Sequence, residues 1–247
     1  MRRAAVGSIG TLLLAGLLAA CAGEGSGDVV KLIIDDLAGQ QFGRATARYR
    51  AEEERVLSSS AAPAWRRGLE HEDATVREWS IDALARIGEA EDVARVVTAL
   101  DDPFRRVQEA AARGLVAMNR EAARQAFLER LRGTDAMRQA IAAQGLADLG
   151  DPAGAAPLIE QLTSTEVESG VRGVIAQSLA MLGDERAIGP LAEVAGNPAN
   201  EVRLRRVAVE ALASFSGAAA IEALRGLTDS DDEYVRDVAR RAIEGRG

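Results

Sequence analysis

Residues 171–183 read VRGVIAQSLAMLG, and this stretch decides the fold. Its large apolar residues stand at positions 171, 174, 175, 179 and 182, which is helical spacing rather than the alternation of a strand. Residues three and four apart share one face of an α-helix, so the segment predicts a helix with a single buried face. We expect this helix to stop at Gly183, because glycine enters the left-handed conformation of many helix ends at little cost.

The same pattern recurs along the chain. Aligned segments begin at residues 76, 107, 138, 171 and 204, and each carries a leucine eight residues in. A fixed period of this kind indicates a repeat protein, here one whose unit is a pair of helices. The anchor leucines are Leu84, Leu115, Leu146, Leu179 and Leu212, at intervals of 31, 31, 33 and 33 residues, with Ile243 a further 31 on. We predict that the first helices end at Gly88, Asn119, Gly150, Gly183 and Ser216.

The second helix of each unit begins with cap and proline chemistry. In residues 150–162, GDPAGAAPLIEQL, Asp151 can accept from free helical amides and Pro152 has no amide hydrogen to leave unpaired. Upstream, Trp65 occupies the slot that Leu158 occupies here, and residues 42–57 fit a first helix. A single pair cannot cover its own apolar face, so neighbouring pairs must stack. We therefore predict an all-α fold, an α-solenoid over residues 28–247 with about six helix pairs and partial units at both ends.

Aspartate and arginine at the head of the first helices carry a resemblance. The units, led by D-P-x-V-R or its variants, resemble the HEAT repeat, in particular the short bacterial type found in bilin lyases. The resemblance covers nearly all of residues 28–247. It implies a right-handed superhelix with first helices on the convex side and second helices on the concave side, and it says little about function.

The amino terminus has the pattern of a secretory signal peptide. Two arginines at positions 2 and 3 precede an apolar stretch that runs to residue 20 and is too short for a typical membrane span. Residues 18–21, LAAC, resemble the lipobox of bacterial lipoproteins, which implies cleavage before Cys21 and lipid on its thiol. An uncleaved anchor and an ordinary cysteine within a cleaved signal are the alternatives.

We accordingly divide the chain into a lipoprotein signal peptide (1–20), a lipidated cysteine with a flexible tether (21–27) and the repeat domain (28–247). By the same resemblance, a residue other than aspartate at position 22 permits sorting to the outer membrane. Since Ala22 stands there, we expect the chain on the periplasmic face of that membrane.

Composition and motifs point away from several functions. The net charge of −8 and the scattered arginines speak against nucleic-acid binding. The chain has one histidine, His71, whereas the di-iron centre of the similarly folded deoxyhypusine hydroxylases needs several. There is no G-x-S-x-G elbow, phosphate loop or dinucleotide fingerprint. We expect no catalytic residue, no cofactor and no bound metal.

Two rows of polar residues recur with the repeat. The first comprises acids and arginines at the heads of first helices, which we interpret as a structural Asp/Arg ladder: Asp73, Arg77, Asp102, Arg106, Asp135, Arg138, Arg172, Arg203 and Arg236. The second lies two residues past the Trp65 slot in the second helices: Arg67, Thr98, Glu129, Glu160, Glu193 and Gly226. Three successive glutamates there suggest a groove for a basic peptide, with a merely solvated acidic face as the alternative.

These features predict a lipid-anchored scaffold of the bacterial envelope that binds protein partners, including basic peptide segments. It would touch the membrane through its lipid only. The alternative is an accessory or lyase-like subunit of an enzyme system related to the bilin lyases. A binding role predicts a broad groove, and a catalytic one a pocket of convergent polar groups with perturbed ionisation.

Overall fold

The computed structural model describes residues 25–245, so the signal peptide and Cys21 lie outside the described residues. All regular secondary structure between residues 25 and 245 is helical, and it divides into two compact units between Asn119 and Arg120. Unit 1 contains α1 (Ser26–Ala38), α2 (Phe42–Ala51), α3 (Glu53–Val56), α4 (Ala62–Gly68), α5 (Ala74–Ile87), α6 (Val93–Ala99) and α7 (Arg105–Met118). Unit 2 contains α8 (Arg120–Leu131), α9 (Ala136–Leu149), α10 (Ala155–Thr163), α11 (Ser169–Leu182), α12 (Ile188–Gly196), α13 (Val202–Ala213), α14 (Ala218–Arg225) and α15 (Glu233–Glu244).

Helix pairs stack in sequence within each unit. In unit 2 the first helices α9, α11, α13 and α15 pack one on the next, and the second helices α10, α12 and α14 form a parallel layer against them. In unit 1, α5 packs on α4 and α7, and α6 packs on α7. This layered arrangement confirms the all-α solenoid that the repeat predicts.

Two positions of each repeat supply the core. The anchor leucines, from Leu84 to Leu212, are at most 1% exposed. The slot of Trp65, which we call the core slot, is equally regular, because its occupant is completely buried in every repeat. The core-slot residues are Trp65, Val96, Phe127, Leu158, Leu191 and Leu224.

Helix ends follow the predicted chemistry at three places and differ at two. Gly88, Gly150 and Gly183 end α5, α9 and α11 with φ of 77°, 59° and 67°, which glycine adopts without strain. Asn119 is extended (φ −155°), because α8 begins at the next residue and leaves no space for a left-handed cap. The helix nevertheless ends at Asn119 as predicted, since α7 stops at Met118 with Asn119 as its cap. The prediction for Ser216 is wrong, because α13 ends at Ala213 with Ser214 as its cap.

Aspartates begin many helices. Asp73, Asp135 and Asp232 accept backbone hydrogen bonds at the starts of first helices α5, α9 and α15. Asp151 and Asp184 cap short 3-10 turns, Pro152–Gly154 and Glu185–Ala187, that lead directly into second helices. The cap expected at Asp151 is therefore present, but it starts a 3-10 turn that precedes α10.

Residues 42–57 form two helices where the sequence predicts one. The break falls at Glu52 (φ −120°, ψ 23°), between α2 and α3. Near the end of α3, the carbonyl oxygen of Val56 accepts a hydrogen bond of 2.7 Å from the indole nitrogen of Trp65. A completely buried indole N–H needs such a partner, and the short helix α3 provides it.

Close packing around Phe127 gives a stability test. A Cβ added to Gly145 in α9 would lie 2.5 Å from two carbons of the Phe127 ring. We expect Gly145→Ala to lower the free energy of unfolding by about 1–3 kcal/mol through overpacking, despite the better helix propensity of alanine. Urea unfolding followed by circular dichroism measures this change.

Gly173 in α11 is the matched control. A Cβ added there meets nothing closer than 4.0 Å, so Gly173→Ala should leave stability unchanged or raise it by up to about 1 kcal/mol. Equal unfolding free energies for the two variants would contradict the packing described here.

Candidate functional site

One exposed position recurs two residues past the core slot. Two residues turn a helix by roughly 200°, so this position faces away from the core. In unit 1 it holds Arg67 and Thr98, and in unit 2 it holds Glu129, Glu160 and Glu193, all exposed. We call the three glutamates of unit 2 the acidic column. Glu160 and Glu193 stand on neighbouring packed helices, α10 and α12.

A second recurring position, seven residues before each anchor, is polar but turned inward. We call these residues the inner row. Five of them are at most 9% exposed, and the last is half-buried. The inner row consists of Arg77, Gln108, Gln139, Arg172, Arg205 and Arg236.

Inner-row side chains hold the turn that leads into their own helix. Nη1 of Arg77 donates to the carbonyl oxygen of His71 (2.7 Å), and Nε2 of Gln108 donates to that of Asp102 (2.6 Å). In unit 2, Nε of Arg172 donates to the carbonyl oxygen of Leu162 (2.7 Å). These bonds satisfy two carbonyl groups in the turns between helices and, at Leu162, one in the last turn of α10.

Three inner-row arginines also reach the following turn. Nε and Nη2 of Arg77 donate to the carboxylate of Asp102 at 2.7 and 2.9 Å, and this charged hydrogen bond is the main reason that the pKa of Arg77 is raised. Arg205 donates to the carboxylate of Asp231 with Nη1 and Nη2, while its Nε donates to the carbonyl oxygen of Ala195 (3.1 Å). Nη1 of Arg172 finds only the neutral amide oxygen of Asn200 (3.1 Å), and burial lowers the pKa of Arg172.

The predicted Asp/Arg ladder is divided between different positions in the structure. Arg77, Arg172 and Arg236 belong to the inner row, whereas Arg106, Arg138 and Arg203 do not. The Arg106 side chain is 48% exposed and lies 3.9 Å from Asp73 across the repeat. Arg138 precedes Gln139, and exposed Arg203 lines a groove of about 340 Å³ between α11 and α13.

The acids of that ladder act on backbone amides. Asp73 accepts from the amide of Thr75, which is the main cause of its lowered pKa. Asp102 accepts from the amide of Phe104 as well as from Arg77. Asp135 accepts from the amide of Arg138 (2.9 Å).

Sequence reasoning missed three members of the inner row: Gln108, Gln139 and Arg205. Two are glutamines, which a search for arginines passes over. Arg205 follows Arg203 in an arginine-rich stretch, so its residue type alone does not distinguish it. Counting seven residues back from each anchor would have found all three.

A cavity of about 580 Å³ in unit 1 opens between the turns that follow α4 and α6. Leu69, Ile81 and Val107 contribute apolar surface to its lining, and Arg67 and Thr98 also line it. The guanidinium groups in its lining include those of Arg77 and Arg66, and both are already bound to acids. Nε of Arg66 donates to the buried carboxylate of Asp92 (2.7 Å), and this bond raises the pKa of Arg66.

The corresponding place in unit 2, between the turns that follow α8 and α10, holds a cavity of about 470 Å³. Its lining includes Glu160 of the acidic column, together with Glu166, Glu168, Arg132 and Gln139. The two cavities therefore share a position in the repeat but differ in charge.

The remaining points concern His71, metal sites and membrane spans in the described chain. Nδ1 of His71 accepts a hydrogen bond from the amide of Asp73 (3.0 Å). Among residues 25–245, no group of three or more His, Cys, Asp or Glu side chains is placed to hold a metal ion. The helices in this range also include none that is long and apolar enough to cross a membrane.

Comparison with known proteins supports the repeat. A family model described as HEAT repeats matches residues 14–116, 62–147, 93–180, 124–206 and 156–244, which together cover most of the chain. No curated protein matches the sequence.

Several solved structures resemble the chain in part. An engineered protein from a structural genomics consortium is 24% identical over 74% of this chain and 95% of its own, with a TM-score of 0.47. The complex of CpcE and CpcF of phycocyanin lyase from Nostoc sp. PCC7120 is 22% identical over 72% and 74%, also with a TM-score of 0.47. Human deoxyhypusine hydroxylase in complex with glycerol is 18% identical over 89% and 96%, with a TM-score of 0.40.

The inner row gives a second stability test. Arg77→Ala leaves the carboxylate of Asp102, whose side chain is 9% exposed, without its cation. We expect the free energy of unfolding to fall by about 3 kcal/mol or more, since removing one partner strands a buried charge. Arg106→Ala, at an exposed ladder position, should cost less than about 1 kcal/mol. Similar losses in urea unfolding would show that the two arginines are equivalent, contrary to the structure.

Proposed function

Because this chain belongs to the HEAT repeat family, we propose that it is a non-enzymatic, protein-binding scaffold of the bacterial cell envelope, anchored by lipid on Cys21. Repeat proteins of this kind bind partners through extended surfaces built from successive units. The proposal extends to the kind of partner, a protein segment rich in basic residues, and to the binding surface, the acidic column.

The acidic column is the observation that carries the proposal. Glu129, Glu160 and Glu193 recur at one helical position, and all three side chains are exposed. Within the described chain their carboxylates form no ion pair and no hydrogen bond, so their charge is available to a partner. Such a surface attracts cations and speeds their encounter, an effect that salt weakens.

The alternative, an accessory or lyase-like subunit of an enzyme system, would give the buried arginines of the unit 1 cavity a part in chemistry on a substrate. In the unit 1 cavity, Arg66 and Arg77 are held by Asp92 and Asp102. This engagement favours a structural role for those arginines over a catalytic one.

The lipid anchor is supported by the order of residues 1–27: two arginines, an apolar stretch, LAAC and a glycine-rich tether. Stable membrane attachment needs more than one acyl chain, since each buried CH₂ contributes about 0.8 kcal/mol and a single chain binds only marginally. Lipoproteins carry several chains on one cysteine, and Ala22 supports the periplasmic face of the outer membrane as the location.

Cell fractionation tests the anchor. Cys21→Ser removes the thiol that would be lipidated, and we expect the chain to leave the outer-membrane fraction and lose its acyl mass. Ala22→Asp is the control, because it keeps Cys21 and should leave the chain membrane-bound while changing the membrane. A Cys21→Ser chain that stays in the outer membrane would reject lipid anchoring.

Charge reversal tests the acidic column. We expect the purified full-length chain to bind a short fluorescein-labelled peptide of alternating arginine and serine, and not its glutamate–serine counterpart. Replacing Glu129, Glu160 and Glu193 together by lysine should weaken this binding by about tenfold or more, because like charges then face each other. Fluorescence anisotropy at two salt concentrations measures the affinity and its screening.

The control variant reverses three exposed glutamates of unit 2 outside the acidic column: Glu185, Glu222 and Glu244. It changes the net charge equally and should retain most of the affinity. If both triple variants lose affinity to the same extent, the peptide responds to net charge alone and the acidic column is not its site.

A further inference from the structure

Arg172 of the inner row is a nearly buried cation without a carboxylate partner. The residue is 6% exposed, and its Nε and Nη1 donate to the carbonyl oxygen of Leu162 (2.7 Å) and to the amide oxygen of Asn200 (3.1 Å). Both acceptors are neutral, and burial lowers the pKa of Arg172. Within residues 25–245 its guanidinium forms no ion pair. A cation that is kept from water without a counter-ion is costly for the folded chain.

The next repeat shows which group is missing. Arg205 occupies the same inner-row position and is 3% exposed, and its Nη1 and Nη2 donate to the carboxylate of Asp231. Asp231 and Asn200 also correspond to each other, because each stands twelve residues before the anchor position of its repeat. The same pair of positions therefore holds arginine with an acid in one repeat and arginine with a neutral amide in the repeat before it.

Asn200 makes a bond that an aspartate would not make. Its Nδ2 donates to the carbonyl oxygen of Val194 (3.0 Å), which is one of the last residues of α12. Carbonyl groups at a helix end have no partner within the helix, and a carboxylate has no hydrogen to donate to them. At position 200 the chain therefore has a bond to the helix end, and Arg172 has no counter-ion.

One nitrogen of Arg172 is available to an added ligand. Nη2 forms no hydrogen bond within the described chain, and it does not belong to the enclosed side-chain atoms that lack a partner, so it reaches the surface. The guanidinium lies between Leu162, in the last turn of α10, and Asn200, in the turn that follows α12. In the next repeat Nη2 of Arg205 binds Asp231. A carboxylate beside Arg172 would accept from Nη2 in the same way.

We propose that Arg172 binds a carboxylate of the partner protein, an aspartate or glutamate side chain that does for Arg172 what Asp231 does for Arg205. The inference rests on the proposed function for the source of this carboxylate, and it adds an acidic residue to the basic segment that the acidic column binds. Guanidinium and carboxylate groups form charged hydrogen bonds of defined geometry. The neutral amide of asparagine or glutamine leaves the cation unmatched, so the site distinguishes an acid from its amide.

A peptide scan tests this preference. On net charge alone, an acidic residue in the arginine–serine peptide weakens binding, because the acidic column repels it. We replace one serine at a time by aspartate or by asparagine and measure the affinity of the full-length chain by fluorescence anisotropy. At one position of the peptide we expect aspartate to bind about fivefold more tightly than asparagine, the reverse of the order that net charge predicts.

Supplying the carboxylate from within the chain should remove the preference. Asn200→Asp places an acid where the next repeat has Asp231, and we expect this variant to bind the aspartate peptide no better than the asparagine peptide. Asn197→Asp is the matched control, because it adds the same charge to the same turn at an exposed position. The oxygen that accepts from the amide of Ala199 is retained in this control, which should keep the preference.

A second pair of variants guards against misfolding of the first. Arg172→Gln removes the cation, and the new amide can donate to Leu162 as Gln139 donates to Leu131. The preference for the aspartate peptide should disappear in this variant. Arg203→Gln removes the same charge at an exposed position and should retain the preference. Circular dichroism of each full-length variant confirms its helix content.

Acetate tests the carboxylate site without the partner. Thermal unfolding is followed in sodium acetate and in sodium chloride at equal ionic strength. Because salts also act on stability without specific binding, the comparison is between variants. We expect the gain in unfolding temperature from acetate to be about 2 °C larger in the wild type and in Arg203→Gln than in Arg172→Gln.

The outcomes separate this inference from the proposed function. If the arginine–serine peptide binds but no position prefers aspartate, or if Arg172→Gln keeps the preference, the proposed function stands and the inference is wrong. An equal gain from acetate in the wild type and in Arg172→Gln also overturns the carboxylate site. If the wild type binds no basic peptide but its gain from acetate depends on Arg172, the proposed function fails and the site takes a small organic acid instead.

Discussion

Each helix pair of this chain must bury its apolar face against the next pair, and the remaining features depend on that constraint. In each repeat two residues form the buried contact between neighbouring pairs. They are the anchor leucine of the first helix and the core-slot residue of the second, and both are buried. Because the repeats from Leu84 to Leu212 bury the same positions, the positions that remain exposed also recur. A regular core therefore produces regular surface rows, of which the acidic column is one.

The turns between helices pose a different problem, since their carbonyl groups lie outside the hydrogen-bond ladder of any helix. The inner row solves it with long polar side chains that enter from the following helix and donate to those carbonyls. Arginine can do this and also reach the next turn, whereas glutamine can do only the first. Gln139, which stands where other repeats have arginine, therefore binds the carbonyl oxygen of Gly133 in its own turn. Its side chain is too short to reach the following turn, and a cavity lies between the two turns.

The repeat, the helix pairing and the core can be predicted from the sequence, because a leucine at a buried position recurs every 31 or 33 residues. It predicts the exposure of the acidic column for the same reason. It does not predict the inner row correctly. Arg203 and Arg205 are the same residue type two positions apart, yet Arg203 is exposed and Arg205 is buried. Only their distance from the anchor leucine shows which of them faces inward. The cavity at Gln139 depends on how far one side chain reaches, which a residue pattern does not contain.

The most direct test of the central claim, that the partner binds the acidic face of unit 2, is hydrogen exchange of the full-length chain with and without the arginine–serine peptide, read by mass spectrometry. The account predicts slower exchange in the turns near residues 131–139 and 162–168 and at the end of α8, with little change in unit 1. Protection confined to unit 1, or none in these turns at peptide saturation, would contradict it.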